Sequence, residues 1–298
     1  MEKMIFVLLF LSGTKMTYLE DLRTNGYVVI ENVLSPEEVE EAKTSYYEWL
    51  DSHPQIKLIH PKISPHGIFK HLQAGHQRHA WFIRTRKNVQ DVFKNIWNTD
   101  ELVVSYDGSC WISADTKKRD NIWTHTDQAP SKKGFRCYQA FVSLTDNVER
   151  SLVVYEGSHL LHEEYAKEKN LTGTKDWELI DTDYLDRIKE TKRILPVKAG
   201  SLVIWDSRTF HQNQYGTKKE ERIVQYVSFL PRSGLTSKIQ EKRRKYFEEK
   251  RTTSHWAYPL KVNGLQPQRY GNQNLLIDYS QLREPDLEDL MPEILKLV

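Results

Sequence analysis

Short apolar segments between residues 101 and 230 constrain the fold more than any other feature of this sequence. Seven of them are rich in Val, Ile, Tyr, Phe and Trp and are broken by turn residues, a pattern typical of strands. They are Glu101–Tyr106, Cys110–Ser113, Tyr138–Leu144, Leu152–Tyr155, Arg193–Val197, Leu202–Trp205 and Arg222–Leu230. Many short strands predict two sheets that form a sandwich or barrel. Residues 160–190 interrupt the series with a charged segment that we predict to be helical.

A helix is predicted before the strands. Ser35 is a typical N-cap, Pro36 takes the first helical position, and Glu38 completes a capping box. Apolar residues then recur at helical spacing from Val39 to Trp49. We therefore expect an amphipathic helix that packs on the core, so that the fold class is mainly β with flanking helices.

Six of the eleven histidines lie between residues 53 and 79. No two of them sit at a clean ligand spacing. We therefore predict an irregular segment that is solvated or covers the substrate, in preference to a second metal site. These histidines are His53, His60, His66, His71, His76 and His79.

The chain of 298 residues divides into three predicted parts. Residues 17–232 form the folded domain, and residues 233–298 form a charged helical extension whose run 238–251 is most simply a solvated helix. Residues 1–16 are a possible leader or a mis-called start, since the apolar run Met4–Leu11 is too short to span a bilayer.

Charge and cysteine content exclude several classes of protein. Lysine and arginine total 43 against 41 acidic residues, so the net charge of +2 gives no case for nucleic acid or membrane binding. Two cysteines exclude a disulfide scaffold and a cysteine-based zinc module. We expect a cytoplasmic protein that acts on a small-molecule substrate.

The stretch Trp123–Asp127 holds the residues that point most directly to chemistry. Residues two apart in a strand point to the same face, so His125 and Asp127 offer an imidazole and a carboxylate to one ion. His211 follows a turn and a buried strand and is the candidate third ligand. Two histidines and one carboxylate form the facial triad of non-haem Fe(II) oxygenases.

Arg222 begins the strand that follows His211. A buried arginine is costly unless it is paired with an anion, and its planar fork suits a carboxylate held by two hydrogen bonds. Alternation puts Arg222 on one face with Val224 and Tyr226. The opposite face is also apolar, so the pattern leaves open which face points inward.

Three basic residues follow the metal motif closely, and we expect them in a solvated loop, with contact to an anionic substrate as the alternative. They are Lys132, Lys133 and Arg136. His159 is predicted to order a turn. Nearby aromatic residues are expected in the core, with pocket lining as the alternative. They are Tyr106, Trp111 and Trp123.

Taken in order, these motifs resemble the phytanoyl-CoA dioxygenase family over roughly residues 18–232. The resemblance lies in Asn25–Ile30 before the capped helix, in His125-x-Asp127, in Gly157-Ser158-His159, in Gly200–His211 and in Arg222. One departure is Glu156, where the family commonly has proline. The resemblance implies a double-stranded β-helix, which is a cupin-like jelly roll, and the use of Fe(II), 2-oxoglutarate and O2.

The resemblance also assigns roles to residues. His125, Asp127 and His211 match the iron ligands, Arg222 matches the arginine that binds the distal carboxylate of 2-oxoglutarate, and Asn213 falls where the family often has a small polar co-substrate contact. We therefore expect a dioxygenase that hydroxylates a C–H bond and releases succinate and CO2.

Two other functions stay open. A cupin-type hydrolase or isomerase would use the same three ligands for Zn or Mn, but it leaves Arg222 unexplained. A non-catalytic jelly-roll binding module explains neither the ligands nor Arg222. The basic residues after the metal motif suggest a small polar or anionic substrate, and no nucleic-acid partner is expected.

Overall fold

The computed structural model describes residues 18–53, 55–64, 66–268 and 272–298. The predicted leader, residues 1–16, lies outside these ranges. The described chain combines helices with antiparallel strands. The strands are β1 (Tyr27–Ile30), β2 (Ile68–Phe69), β3 (Leu102–Val104), β4 (Ser109–Ile112), β5 (His125–Thr126), β6 (Tyr138–Ser143), β7 (Leu152–Tyr155), β8 (Glu178–Leu179), β9 (Lys192–Ile194), β10 (Leu202–Asp206), β11 (His211–Asn213), β12 (Arg222–Tyr226) and β13 (Phe229–Pro231).

Two antiparallel sheets organise these strands. One has the order β1-β10-β6-β12-β4-β2 and the other β8-β5-β11-β7-β9, while β13 pairs with β3 alone. From β4 to β7, and again from β10 to β12, each successive strand lies in the other sheet. Within these two runs the chain therefore crosses between the sheets at each step, whereas β7, β8 and β9 lie in the same sheet.

The six-stranded sheet is buried on both faces. Side chains from both sheets, among them Phe141, Val154 and Val224, form one apolar cluster between them. Ile223 belongs instead to the larger cluster that the sheet shares with the helices. Arg222 therefore alternates with Ile223 and lies on the inter-sheet side, which resolves the ambiguity that two apolar faces left in the sequence.

The helices lie mainly before and after the strands. Their bounds are Pro36–Ser52, Gln55–Ile63, Arg78–Thr85, Lys87–Trp97, His162–Glu168, Thr182–Arg187, Ser237–Glu248 and Met291–Leu297. The first has the predicted capping box, in which Ser35 accepts the Glu38 amide and Glu38 accepts the Ser35 amide. Two of them fall in the segment 160–190, as predicted. No helix within the described residues is long and apolar enough to cross a bilayer.

The C-terminal part packs on the same core as the strands. The charged helix Ser237–Glu248 keeps most of its charges in solvent but buries Arg243, which donates to the carbonyls of Val104 and Leu297. Ile294 and Leu297 join the large apolar cluster. The expectation of a purely solvated helix is therefore corrected, because one face of it satisfies backbone carbonyls of the core.

The early histidines are mostly buried, and the expectation of a solvated segment is wrong for them. His60 stacks on Phe69 with ring centroids 3.5 Å apart, and His79 lies between Tyr46 and Trp49. Burial lowers the pKa of His60 to about 4 and that of His76 and His79 to about 3. Uncharged imidazoles behave here as aromatic core side chains.

These histidines make the fold sensitive to acid. Between pH 6.5 and 4 the unfolded chain binds protons that the folded chain does not, so the free energy of unfolding falls as the pH falls. Each fully buried histidine contributes up to about 1.4 kcal/mol per pH unit. The free energy of unfolding, measured with urea at several pH values, should depend on pH less steeply in the His79→Leu variant, by about that amount. His71→Leu, at a less buried histidine, should reduce this slope less. Equal slopes for wild type and His79→Leu would contradict this assignment.

Candidate metal centre

Pairing of β5 with β11 brings the two predicted histidine ligands together. The strands are antiparallel and place His211 directly opposite His125. Asp127 follows β5, and its amide donates to the Ser207 carbonyl at 3.1 Å. The three side chains therefore meet because of tertiary pairing between segments far apart in sequence.

Backbone carbonyls orient both imidazoles. Nδ1 of His125 lies 3.1 Å from the Trp123 carbonyl, and Nδ1 of His211 lies 2.8 Å from the Thr209 carbonyl. A carbonyl only accepts, so Nδ1 carries the proton and the Nε2 lone pair is free to bind a metal. The sequence pattern did not reveal this second contact of each ring.

Distances among the three side chains suit one ion. Nε2 of His125 lies 3.6 Å from Asp127 Oδ1, and Nε2 of His211 lies 3.3 Å from Asp127 Oδ2. All the candidate ligand atoms lie within 4.8 Å of one another. An ion with bonds of about 2.0–2.2 Å to nitrogen and oxygen fits among atoms at these separations.

The protonation states of Asp127 and His125 also suit metal binding. Burial opposes ionisation of Asp127, but the neighbouring His125 and His211 outweigh it and hold the pKa of this carboxyl well below its usual value. Burial lowers the pKa of His125. The Asp127 side chain is 17% exposed, more than either histidine, so the centre opens on its side.

Arg222 is buried without an anionic partner. It is 1% exposed, its Nη1 donates to Cys110 Sγ at 3.0 Å, and its guanidinium lies 5.2 Å from the Phe141 ring. Its Nη2 has no hydrogen-bond partner within the described residues. A thiol and an aromatic face do not neutralise a guanidinium, so the surroundings of Arg222 suit a carboxylate ligand.

Asn213 shares a neighbour with Arg222. Its Nδ2 lies 3.9 Å from Cys110 Sγ and 3.5 Å from the His66 carbonyl. Gln139 is buried on the same face of β6 as Phe141, and its Nε2 also lacks a partner among the residues described. Gln139 was not among the predicted site residues, although its alternation with Phe141 in β6 indicates that both side chains lie on the same face of the sheet.

Aromatic rings flank the His125 side of the centre. Trp123 stacks on His125 with centroids 4.8 Å apart and on His66 at 3.7 Å. Trp177 lies 5.7 Å from His125 and is 37% exposed. It comes from the insertion, where β8 pairs with β5. This pairing could not be predicted from the sequence pattern, because charged residues dominate the insertion.

Other expectations near the site have mixed outcomes. Lys132 donates to Asp176 at 2.7 Å, so it is paired across the fold and is not a freely solvated residue. His159 contacts the Arg23 carbonyl beside a turn, as expected of a residue that orders its loop. Tyr106 is fully buried core, and Trp111 donates to Glu221. Of the three aromatic candidates, Trp123 is therefore the one that touches a predicted ligand.

Comparison with known proteins identifies a matching family, a sequence relative and similar solved structures. The family model described as phytanoyl-CoA dioxygenase (PhyH) matches residues 22–215. Ava biosynthesis cluster protein O of Aspergillus versicolor is 26% identical over 266 residues, which cover 79% of this chain and 84% of that protein. GlcNAc Inducible Gene 2 from Candida albicans is 15% identical with a TM-score of 0.64, covering 94% of this chain and 75% of its own.

A further solved structure has the same fold and carries ligands. The epimerase SnoN, in complex with Fe3+, alpha ketoglutarate and nogalamycin RO, is 18% identical with a TM-score of 0.53. The match covers 74% of this chain and 84% of that one.

Removal of the carboxylate should abolish metal binding. Asp127→Ala takes away the one anionic ligand, and Fe(II) affinity under argon should fall by more than about 100-fold, since loss of even a group that only hydrogen-bonds to a ligand commonly costs about 10–100-fold. Competition with a chromogenic chelator measures this. Asp100→Ala, at an exposed position, is the control. Wild-type affinity in Asp127→Ala would contradict the assignment.

Proposed function

Because the chain belongs to the phytanoyl-CoA dioxygenase family, we propose that it hydroxylates a C–H bond of a small-molecule substrate. It is an enzyme of the Fe(II)- and 2-oxoglutarate-dependent oxygenase superfamily, and its cofactors are Fe(II), 2-oxoglutarate and O2. The observation that carries the proposal is the buried His125, Asp127 and His211 set together with Arg222, which has no anionic partner.

We further propose that the two sheets form a double-stranded β-helix. The alternation of successive strands between the sheets supports this, as does the apolar cluster that both sheets share. In such a jelly roll the ligand side chains lie where strands of the smaller sheet end, as His125 and His211 do.

His125, Asp127 and His211 would hold Fe(II) on one face and leave three positions for other ligands. Bound Fe(II), with 2-oxoglutarate and O2, would supply the oxidising chemistry for hydroxylation of a C–H bond, with the alcohol, succinate and CO2 as products. The protein keeps Asp127 ionised and both Nε2 lone pairs available. Burial of His125 and His211 limits the access of water to the side on which Asp127 is partly exposed.

Arg222 would bind the distal carboxylate of 2-oxoglutarate. Its guanidinium offers Nη2 as an unused donor, and its other polar neighbours, the Cys110 thiol and the Tyr226 hydroxyl, are not anionic. Asn213, beside the same thiol, would add an amide contact to the co-substrate. Both residues lie between the sheets, so the carboxylate would be desolvated and held strongly.

The alternatives explain less of this site. A hydrolase or isomerase on the same ligands leaves a buried arginine without a partner. A binding module leaves the metal centre unexplained as well. The pairing of Lys132 with Asp176 also weakens the earlier reason for an anionic substrate.

Binding of 2-oxoglutarate tests the proposal directly. Under argon, Fe(II) and 2-oxoglutarate should produce a weak visible charge-transfer band, which a hydrolase would not show. Arg222→Met should weaken 2-oxoglutarate binding by roughly 100-fold, because hydrogen bonds between charged groups contribute about 1.5–3 kcal/mol each. Arg222→Lys should lose less, and Arg193→Met, at an exposed position, should lose nothing.

Product mass decides between reaction types. With a turned-over substrate, hydroxylation gives a product that is one oxygen heavier, whereas epimerisation leaves the mass unchanged. A wild-type enzyme that binds Fe(II) but neither forms the band nor consumes 2-oxoglutarate would overturn the proposal.

A further inference from the structure

The C-terminal part of the chain brings a residue to the metal centre. Residues 252–263, called here the C-terminal hairpin, lie beyond the family match at 22–215. Thr253 bridges Val262 in antiparallel fashion and Asp107 in parallel fashion. The Thr253 amide donates to the Tyr106 carbonyl at 2.8 Å. These bonds fix the hairpin against the segment that carries Asp107.

A shared carboxylate ties the hairpin to the loop after the metal motif. Asp176 accepts hydrogen bonds from Lys261 of the hairpin, from Lys132 at 2.7 Å and from the Ala129 amide at 2.9 Å. The Asp176 side chain is 2% exposed. Ala129 lies two residues after Asp127, so this contact holds the hairpin beside the ligand loop.

His255 is the residue that the hairpin presents there. It is 8% exposed, and its Nε2 is buried with no hydrogen-bond partner in the described part of the chain. It interacts electrostatically with Asp127 and His211, and burial lowers its pKa to about 4. The imidazole is therefore neutral and has a nitrogen that the fold itself does not use.

Asp107 is a second polar group without a matching partner. One of its carboxylate oxygens accepts the Gly108 amide at 3.1 Å. The nearby Arg84 donates to the backbone carbonyl of Asp107 instead of the side chain. Burial raises the pKa of Asp107 to about 7, Arg84 opposes this rise, and Asp127 adds repulsion. Within the described residues, no cation is hydrogen-bonded to this carboxylate.

We propose that Asp107 and His255 form a substrate subsite beside the metal centre and that it binds an ammonium group. The inference rests on the proposed function. A carboxylate and a neutral imidazole both accept hydrogen bonds, and an ammonium group has three donors. The charges of Fe(II), Asp127, 2-oxoglutarate and Arg222 cancel, so the loaded metal centre adds no net charge. Arg84 and Lys70 act on Asp107 electrostatically, but Arg84 donates to its backbone carbonyl, which leaves the side-chain carboxylate available to a hydrogen-bonding cation. A substrate carboxylate would meet repulsion from both aspartates, which favours an amine over an acid.

Three probes of equal chain length test this class. Calorimetry under argon, on enzyme loaded with Fe(II) and 2-oxoglutarate, compares n-butylammonium, n-butanol and butyrate. Butylammonium should bind at least tenfold more tightly than butanol, and butyrate should not bind. Asp107→Asn and Asp107→Ser should each weaken butylammonium binding at least tenfold, and His255→Phe should weaken it measurably. Asp100→Asn, at an exposed site, should change nothing.

The visible band separates this inference from the proposed function. The Asp107 and His255 variants should keep the Fe(II)–2-oxoglutarate band, which shows that they are folded and loaded. Equal binding of butanol and butylammonium, or unchanged binding in both Asp107 variants, would overturn the subsite while the band persists. A wild-type enzyme without the band would refute the proposed function itself, and the subsite with it.

Discussion

The pairing of β5 with β11 is the interaction on which the rest of the site depends. It places His125 opposite His211. The carbonyls of Trp123 and Thr209 lie beside Nδ1 of the two rings, and Nε2 of each ring lies near Asp127. The side-chain period of a strand is two, so a slip of one residue would turn an imidazole away from the centre. Asp127 is placed by the same pairing, because its amide bonds to Ser207 just before β11. Ligand geometry is therefore a consequence of strand register.

Burial of the site residues favours ligand binding, but desolvation of their charged groups costs folding free energy. Arg222 is desolvated between the sheets, and its neighbours are a thiol, a tyrosine hydroxyl and an aromatic ring, which compensate little of that cost. A carboxylate bound there recovers much more, since the low local dielectric strengthens a charged hydrogen bond. The same burial keeps Nε2 of His125 unprotonated. The unfavourable burial of Arg222 therefore favours binding of an anion there, and the unprotonated Nε2 of His125 favours binding of a metal.

Local sequence patterns predicted individual helices and strands, but they did not predict which distant segments pack together. The strand β12 and the capping box at Ser35 depend on neighbouring residues, so both could be predicted from the sequence. The spacing of His125 and Asp127 could be predicted for the same reason. That Trp177 lies beside His125, or that Lys132 is paired with Asp176, depends on how distant segments pack. The prediction for the early histidines was wrong because histidine occurs both buried and exposed and the sequence does not distinguish the two, whereas His79 here packs in an aromatic core.

The site divides between the two sheets and the segments that lie beside them. The strands and the turn after β5 provide the candidate metal ligands and Arg222. The insertion and the C-terminal hairpin provide Trp177, Asp176 and His255, which interact with these candidate ligands or with the loop that follows them. Chemistry common to a fold and selectivity particular to one chain then reside in different segments. On the proposed function, the substrate is therefore determined more by the insertion and the C-terminal hairpin than by the strands that carry the candidate ligands.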